Sequence, residues 1–426
     1  HHMLSHILDY VSGWSPGLHS GVFRELGLTV SSKPEHWYAA FERHVALGRA
    51  RNDAVSAYAT NHTQDISILT WNLRASQSGH TAGGHDLLQA QLQVLLQGLS
   101  RPTVLCLQEV CLDMMDQLPK HGYDVLSRDL VYAEVDAADA VRGRKLSLDQ
   151  IADKMNRENY RPAFSGFNVI AVLHTFQRAG VIASCCPSHV LHDYPPQRDS
   201  DGAAVLERRM LSAVDLTFAR NNAYPLRIYN THLHAEPGER GLNERYREME
   251  IVCEQLTQQP QAVGGKGSAV HGSSISAAAA TAASSASAAT ASATSPSSSS
   301  PPSLPPFVLC GDLNACSERD YTPGEQYMMY SFSGLDMCQE INYWSTLELL
   351  ETHAIDSFAL AQQPRPKISC WSCRRVDHIV VNTQAAMRWR ILHSAMYYSL
   401  ASDHLPVISW MREEQSQAPT QCPGRN

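Results

Sequence analysis

The chain has 426 residues, of which 43% are hydrophobic and 18% are charged, so it can bury a large core and is typical of a globular protein. Its 34 basic and 42 acidic residues give a formal net charge of -8, which excludes a polybasic nucleic-acid coat but allows a local basic groove. No stretch approaches the roughly 20 apolar residues of a spanning helix, so we predict no transmembrane segment.

The first predicted unit is a helical N-terminal extension over residues 4–63. The stretch HWYAAFERHVALGRA places Trp37, Phe41 and Val45 four residues apart, and therefore on one helix face. We expect this extension to pack against the rest of the chain or to bind a protein partner, whose identity the sequence does not indicate.

From Ile66 the pattern changes to apolar, β-rich runs that alternate with amphipathic segments. Eight such runs extend from ISILTWNL to HLPVISW. Two segments between them, DLLQAQLQVLLQGLS and LNERYREMEIVCEQL, carry apolar residues at helical spacing. We therefore predict large sheets covered by helices in one domain over residues 64–411.

Residues from about 262 to 306 differ in kind, because they are nearly all Ser, Ala, Thr, Gly and Pro. Such a composition cannot bury enough side-chain area to offset the entropy of ordering it. The strand pattern resumes unchanged at FVLCGDLNA. We therefore predict a disordered insertion within the domain, and a flexible tail over residues 412–426.

The 11 cysteines are scattered, and several lie inside strand-like runs, which is typical of free buried thiols in a reducing compartment. We expect an intracellular, cytoplasmic protein, with a peripheral membrane or nuclear location as alternatives. Cys370 and Cys373 have the spacing of a metal or redox pair. No second pair matches them, so two loop thiols are the favoured interpretation.

Most of the predicted strands end in a polar residue of catalytic type. These residues are Asn72, Glu109, His232, Asp312 with Asn314, Asp377, and Asp403 with His404. Each alone is ordinarily a turn, solvated or edge residue. Their repetition predicts that they converge on one rim of adjacent strands.

A rim of this composition suits a hard divalent metal and a phosphate. Carboxylate oxygens favour Mg²⁺, or Mn²⁺, over zinc. Hydrolysis of a phosphoester needs an activated water and positive charge on the phosphoryl oxygens. Strand alternation would place Asp312 and Asn314 on one side. His232 and His404, if protonated, could donate to the phosphoryl oxygens, with Asp377 as a partner for one of them.

The ordered motifs TWN, LQEV, NTHL, GDLN, RVDHI and SDHLP resemble the endonuclease/exonuclease/phosphatase superfamily, which includes DNase I, apurinic endonucleases, neutral sphingomyelinases, deadenylases and tyrosyl-DNA phosphodiesterases. Each motif is short, but six in order from Trp71 to Pro406 form a specific signal. The resemblance covers about residues 64 to 411. It implies a four-layered α/β sandwich, in which two face-to-face mixed β-sheets are flanked by helices, with a Mg²⁺ site at one end.

The resemblance also implies metal-binding and substrate-binding residues. Glu109 would be the direct metal ligand, with Asn72 beside it and Asp403 close to the metal. Arg209 and Arg245 could contact a phosphate or head group, although arginines that are solvated or ion-paired are an equally good explanation.

The catalytic roles follow from the same resemblance. Asp312 would orient or deprotonate the attacking water, and Asn314 would position the water and the phosphate. His404 would contact the scissile phosphate with Asp377 as its orienting carboxylate, and His232 would hold a phosphate oxygen. No residue would serve as a covalent nucleophile.

The expected substrate is a phosphodiester of a lipid head group or of nucleic acid. The string THLHAEPGERGLNERYREME, followed by VLCGDLN, is most similar to neutral sphingomyelinases, which favours a phosphocholine-type lipid and a peripheral membrane contact. A nuclease, deadenylase or tyrosyl-DNA phosphodiesterase is the alternative, because SDHLPV is equally similar to deadenylases. An inositol-polyphosphate phosphatase ranks third, because ISCWSCRRVDHI departs from the motif of that group. A catalytically inactive binding module ranks last.

Overall fold

The structure, a computed structural model, describes residues 22–29, 32–74, 84–135, 147–158, 160, 162, 164–198, 204–219, 221–236, 238–258, 305–332 and 344–414. Its helices are α1 (Val22–Glu25), α2 (Pro34–Gly48), α3 (Asn52–Asn61), α4 (Gly84–Gln93), α5 (Leu112–Gln117), α6 (Leu148–Glu158), α7 (His174–Arg178), α8 (Gly238–Thr257), α9 (Pro323–Phe332), α10 (Ser345–Glu351), α11 (Ser357–Leu360) and α12 (Thr383–Arg388). Its strands are β1 (Ile66–Asn72), β2 (Val104–Val110), β3 (Tyr123–Val135), β4 (Phe164–Leu173), β5 (Val181–Cys185), β6 (His189–Asp193), β7 (Gln197–Arg198), β8 (Ala204–Phe218), β9 (Asn221–His232), β10 (Phe307–Asp312), β11 (Ala354–Asp356), β12 (Asp377–Asn382), β13 (Trp389–Met396) and β14 (Val407–Glu413).

The strands form two mixed sheets joined along one edge. The first sheet has the order β3-β4-β2-β1-β14-β13, and the second has the order β11-β12-β10-β9-β8. The pairs β1–β2 and β9–β10 are parallel, and the other neighbours are antiparallel. Strand β8 belongs to both sheets, because residues 204–207 pair with β3 and residues 211–218 pair with β9.

Three hydrophobic cores separate four layers. The central core lies between the two sheets and joins residues such as Ile68 and Cys106 of the first sheet to Val308 and Ile379 of the second. The neighbouring strand residues point the other way, because side chains alternate along a strand. On the first sheet they pack against α3, α4, α5 and α6, and on the second against α8 and α10. The predicted four-layered sandwich is therefore confirmed.

The helices α1 and α2 pack into the central core, whereas α3 packs on the outer side of the first sheet. Trp37, Phe41 and Val45, the residues predicted to share one helix face, are all buried in the central core. The Asn52 side chain donates to the carbonyl and accepts from the N–H of Tyr398, both at 2.9 Å. The helices α2 and α3 are thereby joined to the segment that leads into Asp403.

Two predicted segments fall at the limits of the described residues. The predicted insertion lies outside them except for residues 305 and 306, which precede β10. Strand β14 continues to Glu413, two residues beyond the predicted end of the domain, and pairs there with Trp389. No helix in the described ranges combines the length and the apolar character needed to cross a membrane.

Candidate active site

Strands of both sheets bring the predicted polar residues to one rim. Asn72 is the last residue of β1, and Glu109 lies near the end of β2. In the second sheet, Asp312 is in register with His232 on one side and with Asp377 on the other. These strand ends meet because the sheets pack face to face.

Asn72 connects the two sheets across this rim. Its Nδ2 donates to Glu109 Oε1 at 3.1 Å and to Asp312 Oδ2 at 3.0 Å, while its Oδ1 accepts from the Arg74 N–H at 2.9 Å. Glu109 has a φ of 51°, which is uncommon for a residue other than glycine, next to an irregularity in the pairing of β2 with β4. This local backbone distortion directs the Glu109 carboxylate toward Asn72.

Asp312 is buried in the centre of the cluster. Its Oδ1 accepts from the Asn314 N–H at 3.0 Å, and its Oδ2 lies 3.5 Å from His232 Nε2 and 3.7 Å from His404 Nε2. Burial and the Asp377 charge raise the pKa of Asp312 to about 6, although the His404 charge and the Asn72 hydrogen bond oppose that shift. A carboxylate with such a pKa can accept a proton near neutral pH.

His404 and Asp377 form a buried charged pair. The distances from His404 Nδ1 to the two Asp377 oxygens are 2.9 and 3.2 Å. Burial by itself lowers the pKa of His404, but Asp377 and Asp312 outweigh it and hold that pKa well above 6.5. Ser369, which the sequence analysis missed, donates its hydroxyl to Asp377 Oδ2 at 2.7 Å. Its only sequence signal is its place in the ISCWSCRRVDHI stretch.

His232 is neutral, in contrast to His404. Burial, followed by the charges of Arg209 and His404, lowers its pKa well below 6.5. Its Nδ1 lies 3.8 Å from Glu109, which is too far for a hydrogen bond. The expectation that both histidines could be protonated therefore holds for His404 and not for His232.

Asn314 reaches the rim by a turn rather than by strand alternation. Strand β10 ends at Asp312, and Asn314 has a φ of 47°. Its Nδ2 donates to the Leu233 carbonyl at 2.9 Å. The alternation argument for Asp312 and Asn314 was wrong, because it assumed that the strand continues.

The remaining predicted ligand and the predicted arginines lie around this centre. Asp403 forms an ion pair with Arg74, which the sequence analysis also missed. Arg209 is buried, pairs with Glu207, and has no partner for its Nε among the described residues. Arg245 is also buried and donates to the carbonyls of His234 and Glu236.

The donor set fits a hard divalent cation. One ligand atom each from Asp312, Asp377 and His404 lies within 4.8 Å of the others, but a protonated His404 has no lone pair for a metal, so the ligands that remain are oxygen atoms. The Glu109 carboxylate adjoins them and is 23% exposed, so solvent can reach it. Cys370 and Cys373 are buried thiols outside this set, and burial raises the pKa of each. Oxygen ligands of this kind suit Mg²⁺ or Mn²⁺ better than zinc.

Comparison with known proteins identifies the family. The model of the Endonuclease/Exonuclease/phosphatase family matches residues 69–404, and the chain belongs to this family. Its members are phosphoester hydrolases that generally use divalent metal ions. The predicted superfamily and the predicted class of enzyme are therefore confirmed.

Solved structures also show similarity over most of the chain. The AP endonuclease LMAP from Leishmania major is 17% identical, with 83% of this chain and 89% of that chain covered and a TM-score of 0.45. The endonuclease/exonuclease/phosphatase from Beutenbergia cavernae DSM 12333 is 14% identical, with 82% and 72% covered and a TM-score of 0.43. A humanized D. rerio TDP2 is 13% identical, with 82% and 99% covered and a TM-score of 0.39. No curated protein matches the chain significantly.

Proposed function

We propose that this protein is a Mg²⁺-dependent phosphodiesterase in which a water activated by Asp312 attacks the phosphorus directly. The observation that carries this proposal is the buried Asp312 carboxylate, with its raised pKa, between an imidazolium and the Asn72 amide. A base and a cation on opposite sides of one pocket are what hydrolysis by water requires.

The side chains divide the reaction between them. Asp312 takes a proton from the water as the new P–O bond forms and the bond to the leaving group breaks. The His404 imidazolium, kept charged by Asp377, donates to a phosphoryl oxygen. His232, which is neutral, can donate one N–H to another phosphoryl oxygen. Asn314 orients the Asp312 carboxylate through its N–H.

A divalent metal would be held by Glu109, with Asn72 and Asp403 as further ligands. When bound, the metal supplies positive charge to the phosphoryl oxygens and the leaving oxygen. Asp403 already pairs with Arg74, so its carboxylate would have to bind the metal and Arg74 at the same time. The oxygen-rich donor set suits Mg²⁺ and Mn²⁺ alike, so Mn²⁺ is the second candidate ion.

The favoured substrate is a sphingomyelin-type lipid phosphodiester at a membrane surface. Its support is the motif similarity of the stretch from Thr231 to Glu250, which forms the end of β9 and most of α8. A nucleic-acid phosphodiester is the second candidate, supported by the SDHLPV stretch at Asp403 and His404. The third candidate substrate is an inositol polyphosphate, and the last alternative is a non-catalytic binding module.

A side-by-side assay tests both the reaction and the substrate. The purified protein with Mg²⁺ is offered sphingomyelin in mixed micelles, a polyadenylate oligomer, 5′-tyrosyl DNA and an inositol polyphosphate. We expect sphingomyelin to be hydrolysed fastest, and Asp312→Asn to lose at least about 10³-fold in kcat.

The matched control is Asp124→Asn, because that carboxylate is 45% exposed and lies outside the rim. Faster hydrolysis of a nucleic acid would overturn the lipid assignment and keep the mechanism. A folded protein without activity on any phosphoester would indicate a binding module, and full activity of Asp312→Asn would exclude Asp312 as the base.

A further inference from the structure

Side chains hold the segment that follows His232 in place through four of its backbone polar groups. This segment, residues 233–236, is called the β9–α8 loop. At its start, the Leu233 N–H donates to the Asp312 carbonyl at 3.0 Å, and the Leu233 carbonyl accepts from Asn314 Nδ2 at 2.9 Å. The first residue of the loop is therefore attached to the strand that carries Asp312.

Helix α8 holds the rest of the loop through two side chains. Glu248 Oε2 accepts from the His234 N–H at 2.8 Å. One terminal nitrogen of Arg245 donates to the His234 carbonyl at 3.1 Å and to the Glu236 carbonyl at 2.8 Å. Arg245 and Glu248 are three residues apart, so they lie on the same helix face. Both are more than nine-tenths buried.

Tyr194 completes the arrangement from the other side. Its hydroxyl donates to Glu248 Oε1 at 2.7 Å, and its ring stacks on His234 with centroids 4.8 Å apart and an interplanar angle of 20°. Loss of the Glu248 carboxylate would leave a buried N–H and a buried hydroxyl without their acceptor, which is costly.

The helix and the loop are also in direct backbone contact. A Cβ atom added to Gly241, in the first turn of α8, would lie 1.8 Å from the Glu236 carbonyl oxygen. A larger side chain at position 241 would therefore push the loop away from the helix. The loop has little freedom to move relative to α8.

We propose that Tyr194, Arg245 and Glu248, here called the α8 clamp, are positioning residues that fix the His232 imidazole in the active site through the β9–α8 loop. The inference rests on the proposed function, because it requires His232 to act on the substrate. It gives Arg245 a role other than substrate contact, since its guanidinium holds two loop carbonyls. Misplacing a catalytic side chain by about 1 Å can cost about 10²-fold in rate.

A double-mutant cycle tests this coupling. Glu248→Gln and Arg245→Met are each made alone and together with His232→Asn, and hydrolysis of bis(p-nitrophenyl) phosphate is measured with Mg²⁺. In the protein with His232, we expect each clamp variant to lower kcat by about 10-fold with little change in KM. With His232→Asn present, the same substitutions should change kcat by less than about twofold, because the side chain that the clamp positions is gone.

Glu254→Gln is the matched control, because Glu254 is an exposed glutamate on the same helix. Thermal unfolding verifies that each variant is folded. Should Glu248→Gln fail to fold, Tyr194→Phe replaces it, because that change removes one hydroxyl and keeps the ring stacked on His234.

An NMR measurement, which does not depend on catalysis, distinguishes a positioning role of the α8 clamp from a general effect on stability. The imidazole NMR signals of His232 should shift in Glu248→Gln, while those of the distant His62 should not. Equal losses of kcat with and without His232→Asn would overturn this inference, and so would an unchanged His232 signal in Glu248→Gln. Neither result would affect the proposed function. Full activity of His232→Asn would overturn the inference together with the proposed role of His232, while Asp312-dependent hydrolysis would still stand.

Discussion

Two histidines flank Asp312, and their surroundings give them opposite charges. His404 has the Asp377 carboxylate at hydrogen-bond distance, and this pair is buried. His232 has no carboxylate closer than 3.5 Å among the described residues, and the Arg209 charge opposes its protonation. Under the proposed mechanism, this difference makes His404 a charged donor and His232 a neutral donor to the phosphoryl oxygens.

The Asp377–His404 pair yields the first prediction. Asp377→Asn removes the anion that keeps His404 charged, so we expect kcat to fall by about 10²-fold. Ser369→Ala should have a smaller effect, because it leaves the Asp377 charge in place, although it removes the hydrogen bond to Asp377 Oδ2 and the acceptor of the Val376 and Asp377 N–H groups. The measurement is steady-state hydrolysis of a soluble phosphodiester. A larger loss for Ser369→Ala than for Asp377→Asn would contradict the assigned order of importance.

The proposed metal ligand yields a second prediction. Glu109→Gln keeps the size of the side chain but removes its charge, so we expect the Mg²⁺ concentration for half-maximal activity to rise by about 10-fold or more. Calorimetric titration of Mg²⁺ measures the same change without turnover. Glu348→Gln, an exposed change on α10, is the control. Identical titrations for Glu109→Gln and the unmodified protein would remove Glu109 from the ligand set.

At the scale of elements, the helices α2 and α3 lie outside the family match but support the active site. Cys373 Sγ lies 3.6 Å from the Trp37 carbonyl of α2. Cys370, in the same turn, forms a β-bridge with His404, and the Trp371 N–H donates to the Asp403 carbonyl at 2.7 Å. The CWSC stretch is thus a structural connection between α2 and the His404 segment.

The docking of α2 yields a prediction about pH. Burial, followed by the Arg51 charge, lowers the pKa of His44 to about 4, and its ring contacts Tyr398. In the unfolded chain a histidine has a pKa of about 6.5. The unfolded state therefore binds the proton more readily, so this stabilisation is complete above pH 6.5 and is lost as the pH falls toward 4.

Urea unfolding at a series of pH values measures this effect. The free energy of unfolding should fall between pH 6.5 and 4, and the fall should be smaller in His44→Gln. His36→Gln, an exposed change on the same helix, should leave the slope as it is. The same slope in His44→Gln and in the unmodified protein would show that another group is responsible.

At the scale of the whole molecule, the chain leaves the second sheet at the end of β9, forms α8 and returns to the sheet at β10. Strand β10 pairs in parallel with β9 along its full length, from Phe307 to Asp312. The Ser/Ala-rich residues lie between α8 and β10, and their composition offers little side-chain area for packing against the sheet.

We therefore predict that replacing residues 264–303 by a short Gly/Ser linker leaves the fold and the activity intact. The replacement must still span from the end of α8 to the start of β10. The measurements are the thermal unfolding midpoint and kcat on a soluble phosphodiester, with Asp312→Asn in the shortened chain as the inactive reference. A loss of activity in a folded, shortened chain would show that the insertion takes part in catalysis.

Apolar runs in the sequence predicted the strands that are buried on both faces, and missed the others. The strand β1 is buried throughout, and four of its seven residues are apolar. In β3 and β5, by contrast, exposed and buried residues mix, so these strands exist mainly because β4 and β8 pair with them. Local pattern cannot report such pairing.

The candidate site, like the strands, could be predicted from the sequence only in part. The residue types at the strand ends were sufficient to predict which side chains gather at the rim. The conformation of Asn314, the hydrogen bonds of Arg245 and the charge of His232 depend on neighbours far away in the sequence. Such neighbours become apparent only in three dimensions.

Strand β8 has a mechanical consequence for the reaction. Because β8 is hydrogen bonded to strands of both sheets, the two sheets form one continuous hydrogen-bonded sheet that folds over at β8. Away from β8, the Asn72–Asp312 hydrogen bond joins the two sheets at the candidate site at 3.0 Å. A movement that separates the sheets there would have to break this hydrogen bond.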